Sequence, residues 1–340
     1  MRRRTRLSAL RTPTGAAAAA ILLAMLGLLP GCGSKADAPG TPGEVRVVVS
    51  IPPLVGLVEA LLPPGARVRV LVAPGQSPHA YEPTPSDIAA VGRADLVVLV
   101  GMGIEAGLPA SVRDGTRVLS MGVVLGIDPG DADEPAQGHA HRDDEPHDHN
   151  HDHNHDHIHD HVGADPHLWL DPVLVESFVP ELAAAVRAAM ERGGNDTAAL
   201  EGVAERADVL LESIRAVDSA YRERLAAHRG AVVITQHAAW SRLTDRYGIK
   251  VASEIQVAET GPSAGHLAEL VQTASGLGVR AVLTEPQLDR AVAERLAAQL
   301  GVPLGTLDPL GSGNWTAMML GNLDVLTEVL DPERTEQPDR

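Results

Sequence analysis

From residue 45 onward, short blocks of β-branched and aliphatic residues alternate with longer stretches whose apolar positions recur at helical spacing. The blocks 45–50, 67–72, 96–100 and, more weakly, 117–120 are too short and too uniformly apolar for helices and predict buried strands. Between them, Pro52 and Pro53 open a helical stretch to 62, ended by Pro63-Pro64-Gly65, and a second helix starts at Pro85-Ser86-Asp87 with Thr84 or Ser86 as its cap. After Pro172 the pattern stays helical for about 55 residues, broken only at Gly193-Gly194-Asn195-Asp196. Its second part, capped by Asp196 or Thr197 and running towards His228, predicts a helix about 45 Å long, more than one small lobe is wide. The strand–helix rhythm then resumes, with strands at 231–235, 249–253, 279–284 and 302–306 and helices from 263 and over 289–300. Strands alternating with helices predict parallel sheets. The expected architecture is therefore α/β: two parallel-sheet lobes, 44–195 and 229–332, joined by a long rigid linking helix over 196–228.

Three stretches fall outside this rhythm. In 1–31, five arginines precede an apolar run from Gly15 to Leu29, shorter than the ~20 residues a membrane span needs. The run ends in Leu29-Pro30-Gly31-Cys32, which resembles a bacterial lipobox and makes Cys32, the only cysteine, the expected site of lipid attachment. A chain with one cysteine has no internal disulfide and no multi-thiolate metal site. Residues 32–43 have the composition of a flexible tether, and 333–340 that of a disordered tail. In 129–162 apolar residues nearly vanish among Asp, His, Asn, Glu and Pro, so this insert in the first lobe is expected to be disordered.

Composition adjusts the picture in two places. Aromatic residues make up only 2% against 44% hydrophobic overall, so the cores must be built from Ala, Val and Leu. The formal charge of −17, with no Lys/Arg cluster beyond the first eleven residues, excludes nucleic acid as the expected partner. An exported chain, tethered by lipid to a bacterial membrane and facing the periplasm or the exterior, is the expectation; it is expected to be a monomer.

The chemistry centres on histidine. His79 lies in Ser77-Pro78-His79-Ala80-Tyr81-Glu82-Pro83, His167 in Asp165-Pro166-His167-Leu168-Trp169-Leu170-Asp171-Pro172, and His237 in Gln236-His237-Ala238-Ala239-Trp240. Two of them follow predicted strands, His167 follows the insert, and Asp308, in Leu307-Asp308-Pro309-Leu310-Gly311, follows the last strand. Ligands of open parallel sheets sit beyond the carboxyl ends of the strands, so these residues on two lobes predict a site in the cleft between them. Three imidazoles with at most one carboxylate suit Zn²⁺, whereas Mn²⁺ more naturally takes a second carboxylate. The insert adds His139, His141, His147, His149, His151, His153, His155, His157, His159 and His161, which are expected to hold further, weakly bound and exchangeable metal ions. Tyr81, Trp169 and Trp240 stand near the three lone histidines and read equally as an apolar collar or as core. Gly101-Met102-Gly103-Ile104-Glu105-Ala106 fits a loose dinucleotide pattern, but no acidic residue ends the next strand in support.

On these motifs, together with Tyr247-Gly248 and Pro262-Ser263, residues 44–332 resemble the metal-binding subunits of bacterial zinc ABC importers, the cluster A-I solute-binding proteins. The resemblance implies two lobes on a rigid linking helix, Zn²⁺ held by His79, His167 and His237, and a fourth position filled by a carboxylate, here Asp308, or by water. Manganese-specific members resemble these but place a carboxylate where His237 stands. Delivery to an ABC permease and its ATPase is implied in turn, with no enzymatic activity. Two other classes compete: a zinc metalloenzyme with Glu82 or Glu285 as base, and a metal-buffering surface lipoprotein or adhesin in which only the tract matters. No His-Glu-x-x-His helix supports the enzyme.

Overall fold

The computed structural model describes residues 44–64, 66–109, 117–127, 165–255 and 264–331. The expected leader 1–31, Cys32, the tether, the His-rich insert and the tail lie outside them. Each half holds one four-stranded, wholly parallel sheet of the same topology. In the first, β1 (Arg46–Val49) pairs with β2 (Arg67–Val70) and with β3 (Leu96–Leu99), which pairs with β4 (Val118–Ser120), giving the order β2-β1-β3-β4. In the second, β5 (Val232–Thr235) lies between β6 (Lys250–Glu254) and β7 (Val279–Thr284), and β8 (Leu304–Thr306) completes the order β6-β5-β7-β8. The two β-branched strands β1 and β3 are buried almost throughout, as central strands of a doubly covered sheet must be.

Helices α1 (Pro52–Glu59), α2 (Pro85–Arg93) and the single turn α3 (Met121–Val124) belong to the first half. Thr84 caps α2 in a reciprocal capping box with Asp87. Next come α4 (Pro172–Arg192), capped by Asp171 with Pro172 in its first turn, and α5 (Thr197–Arg224), capped by Asp196. The second half carries α6 (Ser241–Tyr247), α7 (Ala264–Leu277), α8 (Arg290–Leu300) and α9 (Trp315–Leu330). The last of these, and the short α6, have no counterpart in the expected order. Among the described residues, no helix is long and apolar enough to cross a membrane.

The linking helix is α5. Its buried residues Leu200, Val203, Ala207, Leu210, Ile214, Val217 and Tyr221 alternate three and four positions apart, a coiled-coil-like seam that packs along α4 and against α9. One apolar cluster runs without a break from Val47 and Val98 in the first sheet, through Phe178, Ile214 and Tyr221, to Leu283 and Met319 in the second half. Buried Tyr221 donates its hydroxyl to the Met319 carbonyl at 2.7 Å, tying α5 to α9. Elsewhere α1 approaches the loop before α9 so closely that a Cβ on Gly56 would stand 2.4 Å from the Gly313 carbonyl. Halves joined by a large apolar interface do not swing freely on a linker, and a shared core of this extent makes the pair one stiff body.

The Gly101–Ala106 stretch is a turn. Gly101, Met102 and Gly103 all have left-handed backbones, with φ of 83°, 55° and 88°. Buried Glu105 closes the turn by accepting from the Val100 and Gly101 amides at 2.9 and 3.0 Å. Its glycines serve backbone geometry.

Candidate metal centre

Each of the three lone histidines is placed by a different local device. Pro78 starts a 3₁₀ turn over Pro78–Ala80 that presents His79 beyond β2. His167 precedes a second 3₁₀ turn, Leu168–Leu170, whose three residues are fully buried. His237 follows the end of β5, where buried Gln236 is fixed by its amide to the Asp289 carbonyl at 2.8 Å and by the Thr284 hydroxyl.

The fold brings them together. One ring nitrogen from each of His79, His167 and His237 lies within 4.8 Å of the other two. Ring centroids are 5.0 to 5.2 Å apart in all three pairings, so the rings form a nearly equilateral triangle. The Nε2 atoms of His79 and His167 are 3.2 Å apart. Zinc–nitrogen bonds of about 2.05 Å at tetrahedral angles require an edge of about 3.3 Å. The pair therefore already stands at ligand spacing.

Two carboxylates behind the rings set which nitrogen faces inward. Asp165 Oδ1 lies 2.7 Å from His167 Nδ1 and also accepts from the His167 amide at 2.9 Å. Glu285 Oε1 lies 3.3 Å from His237 Nδ1 and accepts from the Trp240 indole at 2.9 Å. With Nδ1 engaged in this way, Nε2 is left as the donor to a metal, the usual carboxylate–histidine–metal arrangement. Glu285 is thus committed to His237 and Trp240, and Glu82, the other conceivable base, is exposed.

Asp308 is not in the histidine group. Its Oδ1 accepts from Gln287 Nε2 at 2.9 Å and from the Leu310 amide at 3.0 Å. Its backbone is gripped at both ends by the Asn322 side chain. Of the three aromatic residues, Trp169 and Trp240 are buried: Trp240 supports Glu285, and Trp169 packs its ring 5.2 Å from that of His167. Arg242 and Arg246, absent from the expected site, reach the His167 segment from α6. They stand four positions apart on one helix face, but their partners are 77 and 75 residues away, and nothing local in the sequence names them.

The site's protonation is asymmetric. Partial burial of the ring against its neighbours, then the charges of His167 and His237, pushes the His79 pKa down to about 4 against a weaker pull from Asp165, although the turn that carries it is exposed. For His237, burial lowers the pKa, but the hydrogen bond and charge of Glu285, helped by Glu254 and Asp165, outweigh it and leave the value above the ordinary 6.5. Metal binding needs neutral imidazoles. Zinc affinity is therefore expected to be constant at high pH and to fall as pH drops through the raised His237 value, with His79 competing only near pH 4. Glu285→Gln removes the charge that raises His237, so the midpoint moves to lower pH, while the weaker orientation lowers the plateau affinity about tenfold. Chelator competition across pH reads both effects; a midpoint unmoved by Glu285→Gln contradicts this assignment.

Fold and site together define a two-lobed protein with a linking helix and three candidate metal-binding histidines drawn from both lobes. The model of the family described as "Zinc-uptake complex component A periplasmic" matches residues 47–329, and the chain belongs to that family. It is 27% identical over 321 residues to the high-affinity zinc uptake system protein ZnuA of Bacillus subtilis, covering 92% of this chain and 94% of that one. It is also 27% identical over 315 residues to the zinc-binding lipoprotein AdcA of Streptococcus pneumoniae, of which it spans only 57%. A crystal structure of ZnuA superposes with a TM-score of 0.64 at 23% identity, covering 85% of this chain and all of that one. The periplasmic zinc-binding protein TroA from Treponema pallidum does so with 0.64 at 19%, covering 84% and 99%. These likenesses bear out the two-lobed fold.

Proposed function

We propose that this protein is the extracytoplasmic binding subunit of a zinc importer, capturing Zn²⁺ with His79, His167 and His237 and delivering it to an ABC permease driven by its ATPase. The observation that carries this reading is the convergence of three imidazoles from two lobes, their ring nitrogens within 4.8 Å of one another and one pair, His79 and His167, already at the spacing of a tetrahedral zinc edge. The fourth position falls to solvent unless Asp308 exchanges Gln287 for the metal. The B. subtilis and S. pneumoniae relatives are named for zinc uptake and zinc binding, which supports the choice of cargo. Cys32 is the proposed point of lipid attachment, holding a monomer to the membrane. The His-rich tract is proposed to gather metal ions near the cleft. An enzymatic reading gains nothing from the site, because Glu285 is engaged by His237 and Trp240.

Calorimetric titration of the protein with every histidine of 139–161 replaced tests this. One tight zinc site is expected to remain, with only the weak sites lost. Loss of all tight binding refutes the cleft and leaves the tract as the metal-binding element.

A further inference from the structure

By chain order the segment 165–171 belongs with the first lobe, since it leads into α4. Apart from the Asp171 cap on α4 and the His79–His167 approach, its polar bonds to other segments run the other way. Arg242 on α6 donates to the Asp165 carbonyl twice, from Nε at 3.0 Å and from Nη2 at 2.7 Å. The same guanidinium faces Asp165 Oδ2, 3.5 Å from Nε, the carboxylate oxygen that His167 does not use. Arg246, one turn further along α6, is ion-paired with Asp171. Trp169 donates its indole N–H to the Pro309 carbonyl at 2.6 Å, and Trp315 donates its own to the Trp169 carbonyl at 2.7 Å. Every one of these partners belongs to the second half of the chain.

His237 sits four residues before α6 begins, so the element that grips the His167 segment also follows directly from the His237 loop. Both rings are backed by carboxylates at Nδ1. His79 differs: it stands on an exposed turn of the first lobe, and among the described residues no carboxylate holds its Nδ1.

Resting on the zinc-binding reading of this site, we infer that Arg242 is a positioning residue that makes His167 mechanically part of the second lobe. His167 and His237 then form a preassembled two-histidine half-site, and His79 is the ligand that closes and reopens it. A guanidinium that donates two N–H groups to one carbonyl fixes direction as well as distance, which a lysine ammonium does not. The clamp acts on the backbone of Asp165, and Asp165 in turn holds both the amide and the ring of His167. Release requires only that the His79 turn withdraw, a small loop movement compatible with the stiff shared core.

The test follows zinc release from the full-length protein into excess chelator, at a chelator strength that leaves the tract empty. Arg242→Met and Arg242→Lys are compared with the unaltered chain, and Arg242→Met is repeated in His79→Ala and His167→Ala backgrounds. Arg242→Met is expected to speed release about tenfold or more, the usual effect of losing an outer support of a metal ligand, with partial recovery in Arg242→Lys. The same factor is expected in His79→Ala and none in His167→Ala. Equal acceleration in both backgrounds, or none in the unaltered chain, overturns the inference while leaving the zinc site intact. Should the unaltered chain show no slow release at all, the zinc-binding reading itself falls, and the inference with it.

Discussion

His167→Ala lowers zinc affinity at the cleft by at least two orders of magnitude, the largest loss expected from any single ligand. Apparent binding energies of structural zinc sites, shared among four ligands, put one ligand at about 3 kcal/mol, or a factor of about 150 in affinity. His167 loses more than that share. It is only 3% exposed, and its replacement leaves the Asp165 carboxylate, already short of one hydrogen bond at Oδ2, without the ring it was holding. Oδ1 keeps the backbone amide of residue 167 and Oδ2 keeps its ion pair with Arg242, so the lost ring contact adds about 1 kcal/mol, borne by the fold and by the shape of the half-site. His79→Ala, by contrast, removes a ligand from an exposed turn and leaves His167 and His237 oriented by their carboxylates. Competition against chelators of graded strength should therefore rank the variants with His167→Ala weakest. Equal losses for the two would show that burial and orientation add nothing to ligation here.

Much of this arrangement is legible in the chain. Buried parallel strands read as β-branched runs, so β1, β3, β5 and β7 fall where hydrophobicity places them, and their ends shift by only a residue or two. The break before α5 is written in Gly193-Gly194-Asn195-Asp196, and Asp196 is the cap. The three histidines stand out because each occupies a loop at the carboxyl end of a strand or beside a proline-bounded turn. The supports are less visible. Helix α6 has seven residues, too few for a period to emerge, and the bonds of Arg242 and Arg246 span the lobe boundary. Glu285 is noticeable as a carboxylate after β7, but only the fold reveals that it faces His237 Nδ1 and the Trp240 indole together. Helix α9 carries a readable signal in Asn314 as cap and in the spacing of Met318, Met319, Leu323, Leu326 and Leu330. It is absent from the expected order because it lies beyond the last strand, where no following strand frames it within the strand–helix rhythm.

Trp169→Ala has the largest expected cost in stability, about 4–5 kcal/mol, from deletion of a fully buried indole in a core too tightly packed to collapse around the void. That loss is a large fraction of the stability of an ordinary domain. The residue also links the two halves in both directions, donating to Pro309 and accepting from Trp315. Removal of the side chain leaves the Pro309 carbonyl without its buried donor and frees the loop that carries Asp308. Trp169→Phe separates the two effects. It retains most of the buried ring but forfeits the 2.6 Å hydrogen bond, for an expected cost of about 1–2 kcal/mol. Because the Trp169 ring lies against His167, both variants should also weaken zinc binding, Trp169→Ala far more than Trp169→Phe. Urea unfolding of metal-free and zinc-loaded protein measures both quantities at once. The gap between the two curves reports binding, since a ligand bound only by the folded state stabilises it in proportion to its affinity. If Trp169→Phe narrows that gap while metal-free stability hardly changes, the indole N–H acts chiefly to hold His167 in register. If metal-free stability falls and the gap stays the same, Trp169 supports the fold and the half-site owes its geometry to the Arg242 and Arg246 clamp.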